Sequence, residues 1–97
     1  MNMQALMKQA QNLQRDMLKT KEEIDNMTFE GKNSFVTVKI NGKKEVLDIT
    51  IDEKVDLEDL ELLQDILVTA INDAMRKVDA ETDKKMGKYS NMMPGMF

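Results

Sequence analysis

The residues of this 97-residue chain best suited to chemistry are lysines and arginines, which gather towards its two ends. Residues 1–21 contain four basic residues and one acidic residue, and residues 76–88 contain five basic and three acidic residues. Residues 45–65, between them, hold nine acidic residues and one lysine. Lysine and arginine bind phosphate groups, so the basic ends are candidate phosphate-binding surfaces. The ordinary alternative is a solvated helix face.

Catalytic and metal-binding patterns are missing from the sequence. The chain has no Cys and no His, which excludes disulfides, thiol nucleophiles and histidine bases. The segment 41–44, Asn-Gly-Lys-Lys, lacks the GxxxxGK[ST] frame of a phosphate loop, and the acidic run lacks EF-hand spacing. We therefore expect no enzyme activity, no cofactor, no metal and no small-molecule substrate.

The overall composition is that of one highly charged domain. The formal net charge is −4, with 41% hydrophobic and 33% charged residues. No run of about 18 apolar residues is present, so we expect no membrane span. The negative net charge of the whole chain argues against nucleic-acid binding. The Debye length is about 8 Å at physiological salt, however, so a distant acidic region hardly cancels a basic helix end.

The first predicted helix, over residues 3–26, carries an apolar ladder. Its a and d positions are Met3, Leu6, Ala10, Leu13, Met17, Thr20, Ile24 and Met27, of which Thr20 alone is polar. The polar residues Lys8, Asn12, Arg15 and Lys19 fall on the opposite face. Such a ladder packs either on the chain's own core or against a second subunit.

Three strands are predicted after this helix, over residues 28–31, 34–41 and 44–51. Asn41-Gly42 is a strong hairpin signal, because both residues accept positive φ. A two-residue loop would pair Ile40 with Lys43, Val38 with Glu45 and Val36 with Leu47. One face would then be apolar, with Val36, Val38, Ile40, Leu47, Ile49 and Ile51. The other would carry Phe35, Thr37, Lys39, Lys44, Val46, Asp48 and Thr50.

A second helix is predicted over residues 57–87. Asp56 is its expected N-cap, and Asp59 lies near its third position. Val55 and Leu60 are spaced as a hydrophobic staple. Its apolar stripe is Leu57, Leu60, Leu63, Leu67, Ala70, Ile71, Ala74 and Val78, widened by Leu62 and Ile66. Gly87 is expected near its end. Residues 89–97, with Pro94-Gly95, are expected to form a flexible tail.

These helices are too long for a compact monomer. Helices of about 22 and 32 residues span roughly 33 and 48 Å, whereas a compact 100-residue domain has a radius of gyration near 13 Å. A homodimer with a shared core explains this length; a kinked second helix is the alternative. The expected dimer interface is Leu6, Ala10, Leu13, Met17, Leu63, Leu67, Ala70, Ile71 and Ala74.

Five segments in order resemble the YbaB/EbfC family of bacterial nucleoid-associated proteins. Residues 7–11 with 13–14 resemble its MKQAQxxQ opening, residues 36–42 its VxVxxNG hairpin, and residues 49–52 its VxID strand. Residues 63–74 resemble its LxDLxxAAxNxA helix, and residues 92–97 its PGMF ending. Of the family's glycine-rich segment before the hairpin, Gly31 is kept. The resemblance covers nearly the whole chain.

The resemblance implies an α+β fold over residues 1–88: a long helix, a hairpin or three-stranded sheet, and a second long helix, in an intertwined, tweezer-like homodimer. It also implies a bacterial, cytoplasmic, nucleoid-associated protein that binds double-stranded DNA with little sequence preference. The family binds through its first and last helices. Here these present Lys8, Asn12, Arg15, Lys19, Lys77, Lys84, Lys85 and Lys88 as candidate DNA contacts.

A function of another class is also compatible with the sequence. A dimeric adaptor could bind a partner protein through an acidic shoulder of Glu58, Asp59, Glu61 and Asp65, or through methionine-rich helix tips. Binding along a membrane surface is disfavoured, since the first helix lacks Trp and is only modestly basic.

Overall fold

The computed structural model describes residues 2–52 and 58–92 and has two long helices around a small sheet. The elements are α1 (Met3–Asp25), β1 (Thr28–Asn33), β2 (Val36–Asn41), β3 (Val46–Ile51) and α2 (Leu60–Met92). The strands form one antiparallel sheet in the order β1-β2-β3. This arrangement confirms the predicted α+β architecture. The predicted Asp56 cap, the Val55 staple and residues 93–97 of the tail lie outside the described residues.

The helix ends follow local capping chemistry. The side chain of Asn2 caps α1 by accepting the backbone N–H of Gln4 at 3.0 Å. Asp59 caps α2, since its Oδ1 accepts the backbone N–H of Leu62 at 3.0 Å. The expected end near Gly87 is wrong, because α2 continues through this residue to Met92. Met86 and Tyr89, on either side of the glycine, are buried against α1, and this packing holds the backbone helical.

The main core lies between the sheet and α2. Helix α2 packs across β1 and β2, where it buries Ile66, Ala70, Ala74 and Val78 against Phe29, Val36, Val38 and Ile40. Strand β3 lies mostly outside the area that α2 covers, and Val46, Leu47 and Ile49 are 46%, 55% and 44% exposed. One strand of the sheet therefore presents apolar side chains to solvent.

A second, smaller cluster joins the two helices. Met17 and Ile24 of α1 pack with Met86 and Tyr89 of α2, with Leu13 at the margin. The C-terminal half of the α1 ladder therefore packs on the chain's own second helix. The N-terminal half does not, since Met3 and Leu6 are 67% and 43% exposed.

The predicted hairpin register is wrong. Val36 lies opposite Ile51, Val38 opposite Ile49, and Ile40 opposite Val46. The register shifts between Lys39, which lies opposite Asp48, and Ile40, which lies opposite Val46, so the ladder skips Leu47. The connection between β2 and β3 is also longer than a two-residue loop. Val46 therefore lies opposite Ile40, where Lys43 was predicted, and Ile51 lies opposite Val36, where Leu47 was predicted.

The turn is organised by the side chain of Asn41. Its Oδ1 accepts the backbone N–H groups of Lys43 and Glu45, both at 3.0 Å, and its amide donates to the Glu45 carboxylate at 2.9 Å. The left-handed residue is Lys44, with φ 65°, and not Gly42. Glycine is required at position 42 because a Cβ there would overlap the carbonyl of Ile24. The turn is thus fitted against the end of α1.

The molecule is elongated. It measures 71 × 19 × 14 Å, with a radius of gyration of 19.2 Å, against about 13 Å for a compact domain of this length. The prediction that the helices extend beyond a compact globule is confirmed. No helix within residues 2–52 and 58–92 is long and apolar enough to span a membrane.

Candidate nucleic-acid interface

Helix α1 presents one continuous polar stripe to solvent. Lys8, Asn12, Arg15 and Lys19 follow spacings of four, three and four residues, which place them on one face of a helix. All four are exposed. The face opposite them is the one that packs on α2 through Leu13, Met17 and Ile24. Among the residues that the structure describes, Lys8, Arg15 and Lys19 have no acidic side chain within ion-pair distance.

The cations of α2 fall into two groups. Lys84 is exposed and has no ion-pair partner in the described part of the chain, and Lys88 lies 5.0 Å from the centre of the Tyr89 ring. Lys77 and Lys85, in contrast, are held by neighbouring groups. Lys85 pairs with Glu81 at 3.1 Å and also approaches the sulfur of Met27 at 3.7 Å.

Lys77 belongs to a cluster that closes the free edge of β1. Its Nζ donates to the backbone carbonyl of Glu30 at 2.7 Å and pairs with Asp73 at 3.4 Å. Asp73 in turn accepts the backbone N–H of Lys32 at 3.1 Å. Two α2 side chains thus bind backbone groups that an edge strand would otherwise expose. Sequence patterns could not reveal this role, because the four residues meet only through the packing of α2 on β1.

The same contacts lower the pKa of Asp73 below its ordinary value. The largest cause is the hydrogen bond from the backbone N–H of Lys32, and the charges of Lys77 and Arg76 act in the same direction. Desolvation of the carboxyl opposes them. The carboxylate is therefore favoured over the acid form at neutral pH.

The contact between α1 and α2 is antiparallel, and the α1 stripe lies on the face of α1 away from it. Thr20 of α1 contacts Tyr89 of α2. Asp25, farther along α1, lines one cavity with Val78, which comes earlier on α2, so the helices run in opposite directions. Lys19 precedes Thr20, and Lys88 precedes Tyr89. Lys19 and Lys88 are thus each one residue from this contact, whereas Lys8 and Arg15 lie on the face of α1 that points away from α2.

The acidic shoulder lies far from these cations. Glu58, Asp59, Glu61 and Asp65 are exposed at the beginning of α2 or just before it. From Glu61 to Lys84 the helix rises by roughly 35 Å, several times the Debye length of about 8 Å. Of the acidic residues nearer the cations, Asp79 pairs with Lys44 at 2.8 Å and Glu81 pairs with Lys85. The net charge of the chain therefore does not describe the field at the helix tips.

The residues predicted for the dimer interface differ in their solvent exposure. Leu6 and Ala10 are exposed, and Leu13, Leu63, Leu67 and Ile71 are half-buried. Met17, Ala70 and Ala74 are instead buried within the chain, so in this structure they leave no surface for a partner. Sequence reasoning did not place Val46, Leu47 and Ile49 of β3, or Leu60, Leu62 and Val68 of α2, in this set. All six are more than two-fifths exposed.

The sequence matches the YbaB/EbfC DNA-binding family over residues 1–93. A nucleoid-associated protein of Ligilactobacillus salivarius is 44% identical over 99 residues, covering 99% of this chain and 95% of that protein. A nucleoid-associated protein of Enterococcus faecalis is 41% identical over 97 residues, covering 97% and 93%. The crystal structure of an uncharacterized protein from Helicobacter pylori superposes with a TM-score of 0.71 at 25% identity, covering 96% of this chain and 98% of that one.

Proposed function

The chain belongs to the YbaB/EbfC DNA-binding family, and on that premise we propose that it is a nucleoid-associated protein whose homodimer binds duplex DNA with low sequence specificity. The proposed contacts are the basic outer faces of the two helices. The bacterial relatives that carry the name nucleoid-associated protein support a location at the nucleoid, in the cytoplasm. A role in nucleoid organisation and gene regulation is part of the proposal.

The observation that carries this proposal is the set of exposed cations without an intramolecular partner. Lys8, Arg15 and Lys19 of α1, with Lys84 of α2, have no ion pair in the described part of the chain. Binding a phosphate therefore costs these side chains no existing ion pair. Lys77 and Lys85 would have to exchange their present partners to reach DNA, so we rank them as weaker contacts.

Low specificity follows from the chemistry of these side chains. Lysine and arginine contacts to phosphates fix the position of a protein on DNA without reading the bases. Asn12, the amide on the α1 stripe, is the group suited to a polar contact with the backbone or with a base edge. A salt-dependent affinity with little dependence on sequence is therefore expected.

The homodimer is supported by apolar surface that one chain leaves uncovered. Val46 and Ile49 on β3, with Leu60 at the start of α2, are 46%, 44% and 64% exposed. An antiparallel sheet commonly packs one face and leaves the other in water, and an exposed apolar patch on the packing face marks an interaction surface. A second copy of the chain, bringing its own α2 or β3, is the partner we propose for this surface. The adaptor function is less supported, since Asp59 of its acidic shoulder serves as a helix cap.

The test of DNA binding is a titration of a random-sequence duplex by fluorescence anisotropy at several salt concentrations, with light scattering to monitor mass. The variant Lys8→Glu/Arg15→Glu should bind more weakly and with a shallower salt dependence. If each protomer of a dimer binds two fewer phosphates, the slope of log affinity against log salt should fall by about 3.6.

The matched control is Lys39→Glu/Lys43→Glu, which makes the same change in charge on the sheet and its turn. This control should bind DNA nearly as the wild type does, because the two lysines lie away from the helix tips. Equal losses in both variants would indicate a general charge effect. Unchanged affinity of the Lys8→Glu/Arg15→Glu dimer would reject the α1 stripe as the contact surface.

A further inference from the structure

The contact between α1 and α2 is a small cluster separate from the main core. Its buried members are Met17, Ile24, Met86 and Tyr89, and none of them belongs to the cluster between α2 and the sheet. The relative orientation of the two helices at their basic ends therefore depends on few side chains. Tyr89 is one of them and is 3% exposed.

Tyr89 explains the one polar residue in the apolar ladder of α1. Its hydroxyl lies 3.3 Å from the Oγ1 of Thr20, and either hydroxyl can be the donor. A phenol buried in an apolar seam requires a hydrogen-bond partner, because an unsatisfied buried hydroxyl is costly. Thr20 provides this partner at a ladder position where an aliphatic residue would leave the phenol without one.

The Thr20–Tyr89 contact lies between the two sets of DNA-binding candidates. Lys19 is adjacent to Thr20, and the ammonium of Lys88 lies over the Tyr89 ring at 5.0 Å from its centre. Arg15 is about one helical turn from Lys19, and Lys84 about one turn from Lys88. A change in the angle or register of the seam would therefore change the spacing between these cations.

We propose that Tyr89 is a positioning residue for DNA binding, which through Thr20 holds the α1 and α2 cations at a fixed spacing. This inference rests on the proposed DNA-binding function. Phosphates along a duplex are regularly spaced, so cations held at a constant separation contact them together. Cations on two loosely joined helices contact fewer of them at any one time. Tyr89 itself touches no DNA in this scheme.

The experiment compares Tyr89→Phe and Thr20→Val with the wild-type dimer. Each change keeps most of the packing volume and removes one hydroxyl. Each should weaken binding to a random-sequence duplex by about fivefold and make the salt dependence shallower. The double variant should bind no more weakly than either single variant, because both remove the same hydrogen bond. Thr20→Ser, which retains a hydroxyl, should restore wild-type affinity.

The matched control is Thr69→Val. Thr69 lies on α2 far from the seam, and its hydroxyl donates to the backbone carbonyl of Asp65 at 2.9 Å. This variant makes the same chemical change without touching the contact between the helices, so its affinity and salt dependence should match those of the wild type.

Tyr89 also supplies its own spectroscopic probe. It is the one tyrosine of the chain, and there is no tryptophan. Intrinsic fluorescence therefore reports on the seam alone. Quenching by acrylamide should be weak in the wild type, with and without DNA, and should increase in Thr20→Val if the phenol loses its fixed position.

The outcomes separate this inference from the proposed function. If the wild-type dimer binds no duplex, the proposed function fails, and the inference fails with it. If the wild type binds but Tyr89→Phe and Thr20→Val keep its affinity and salt slope, the inference alone is overturned. A loss that Thr69→Val shares, or that accompanies dissociation of the dimer, would also overturn it.

Discussion

Gly31 of β1 packs directly against the backbone of Ala70 on α2. A Cβ built on Gly31 would overlap the carbonyl oxygen of Ala70 and would also meet the backbone and Cβ of Ala74. Both alanines are fully buried. The helix can thus lie this close to the sheet because position 31 has no side chain and the facing residues have only a methyl group.

Gly31→Ala should therefore destabilise the protein strongly. Backbone atoms cannot give way as the end of a flexible side chain can, so α2 must move away from the sheet. We expect a loss of about 3 kcal/mol or more in the free energy of unfolding, measured by urea denaturation at a fixed protein concentration. The control is Gly87→Ala, where a Cβ meets nothing within 4 Å. Because Gly87 lies inside a helix, that variant should gain up to about 1 kcal/mol. Equal stabilities of the two variants would contradict the close approach of α2 to β1.

Ile49→Lys should disrupt the proposed homodimer. Ile49 lies opposite Val38, whose side chain is in the core, so it is on the apolar face of β3. A lysine on this face would place a charge in the interface. Thr50→Lys is the control, because Thr50 lies opposite Thr37 and points to the other face of the sheet. Light scattering over a concentration series should show a monomer, or a weaker dimer, for Ile49→Lys alone. Dimers of equal strength in both variants would exclude this face as the interface.

The carboxylate of Asp73 should make the free energy of unfolding depend on pH in the acidic range. Its pKa is lowered in the folded protein by the backbone N–H of Lys32 and by neighbouring cations, so the unfolded chain binds its proton more readily. The stabilisation is present above the ordinary aspartate pKa of about 3.9 and is lost as the pH falls through the lower, folded value. Asp73→Asn should thus reduce stability at pH 7 and flatten the decline of stability in acid.

Denaturation at a series of pH values measures this effect. Asp83→Asn removes the same charge from an exposed position on the same helix, where the described residues provide no ion pair. Its stability at pH 7 should change less than that of Asp73→Asn. An acid profile of Asp73→Asn that matches the wild type would show that this carboxylate does not contribute.

Lys84 and Lys77 should respond differently to the same substitution. They lie seven residues apart on α2, but Lys77 is bound to the Glu30 carbonyl and to Asp73. Lys84→Gln should reduce DNA affinity and make the salt slope shallower by about 0.9 for each phosphate that is no longer bound, with little change in stability. Lys77→Gln should mainly lower the free energy of unfolding, by about 1 kcal/mol. If Lys77→Gln reduced DNA affinity and left stability unchanged, Lys77 would have to leave β1 to bind phosphate.

The sequence by itself determined the type and order of the helices and strands and the distribution of charge. Apolar spacings of three and four residues predicted α1 over residues 3–26, one residue past its observed end at Asp25, and alternation predicted the strands around Asn41. The α1 cationic stripe of Lys8, Arg15 and Lys19 could also be predicted, because residues spaced by three and four must share a helix face. These properties are local, so neighbouring residues are sufficient to set them.

The tertiary structure alone decided the properties that depend on distant contacts. The strand register followed from how Asn41 and Gly42 fit against the end of α1, and not from the turn dipeptide alone. Helix α2 passes through Gly87 because Tyr89 is buried against α1. The same packing buried Met17 and Ala70 within the chain and left Ile49 exposed. Periodicity shows which side of an element is apolar, but the element that covers this side is set by long-range packing.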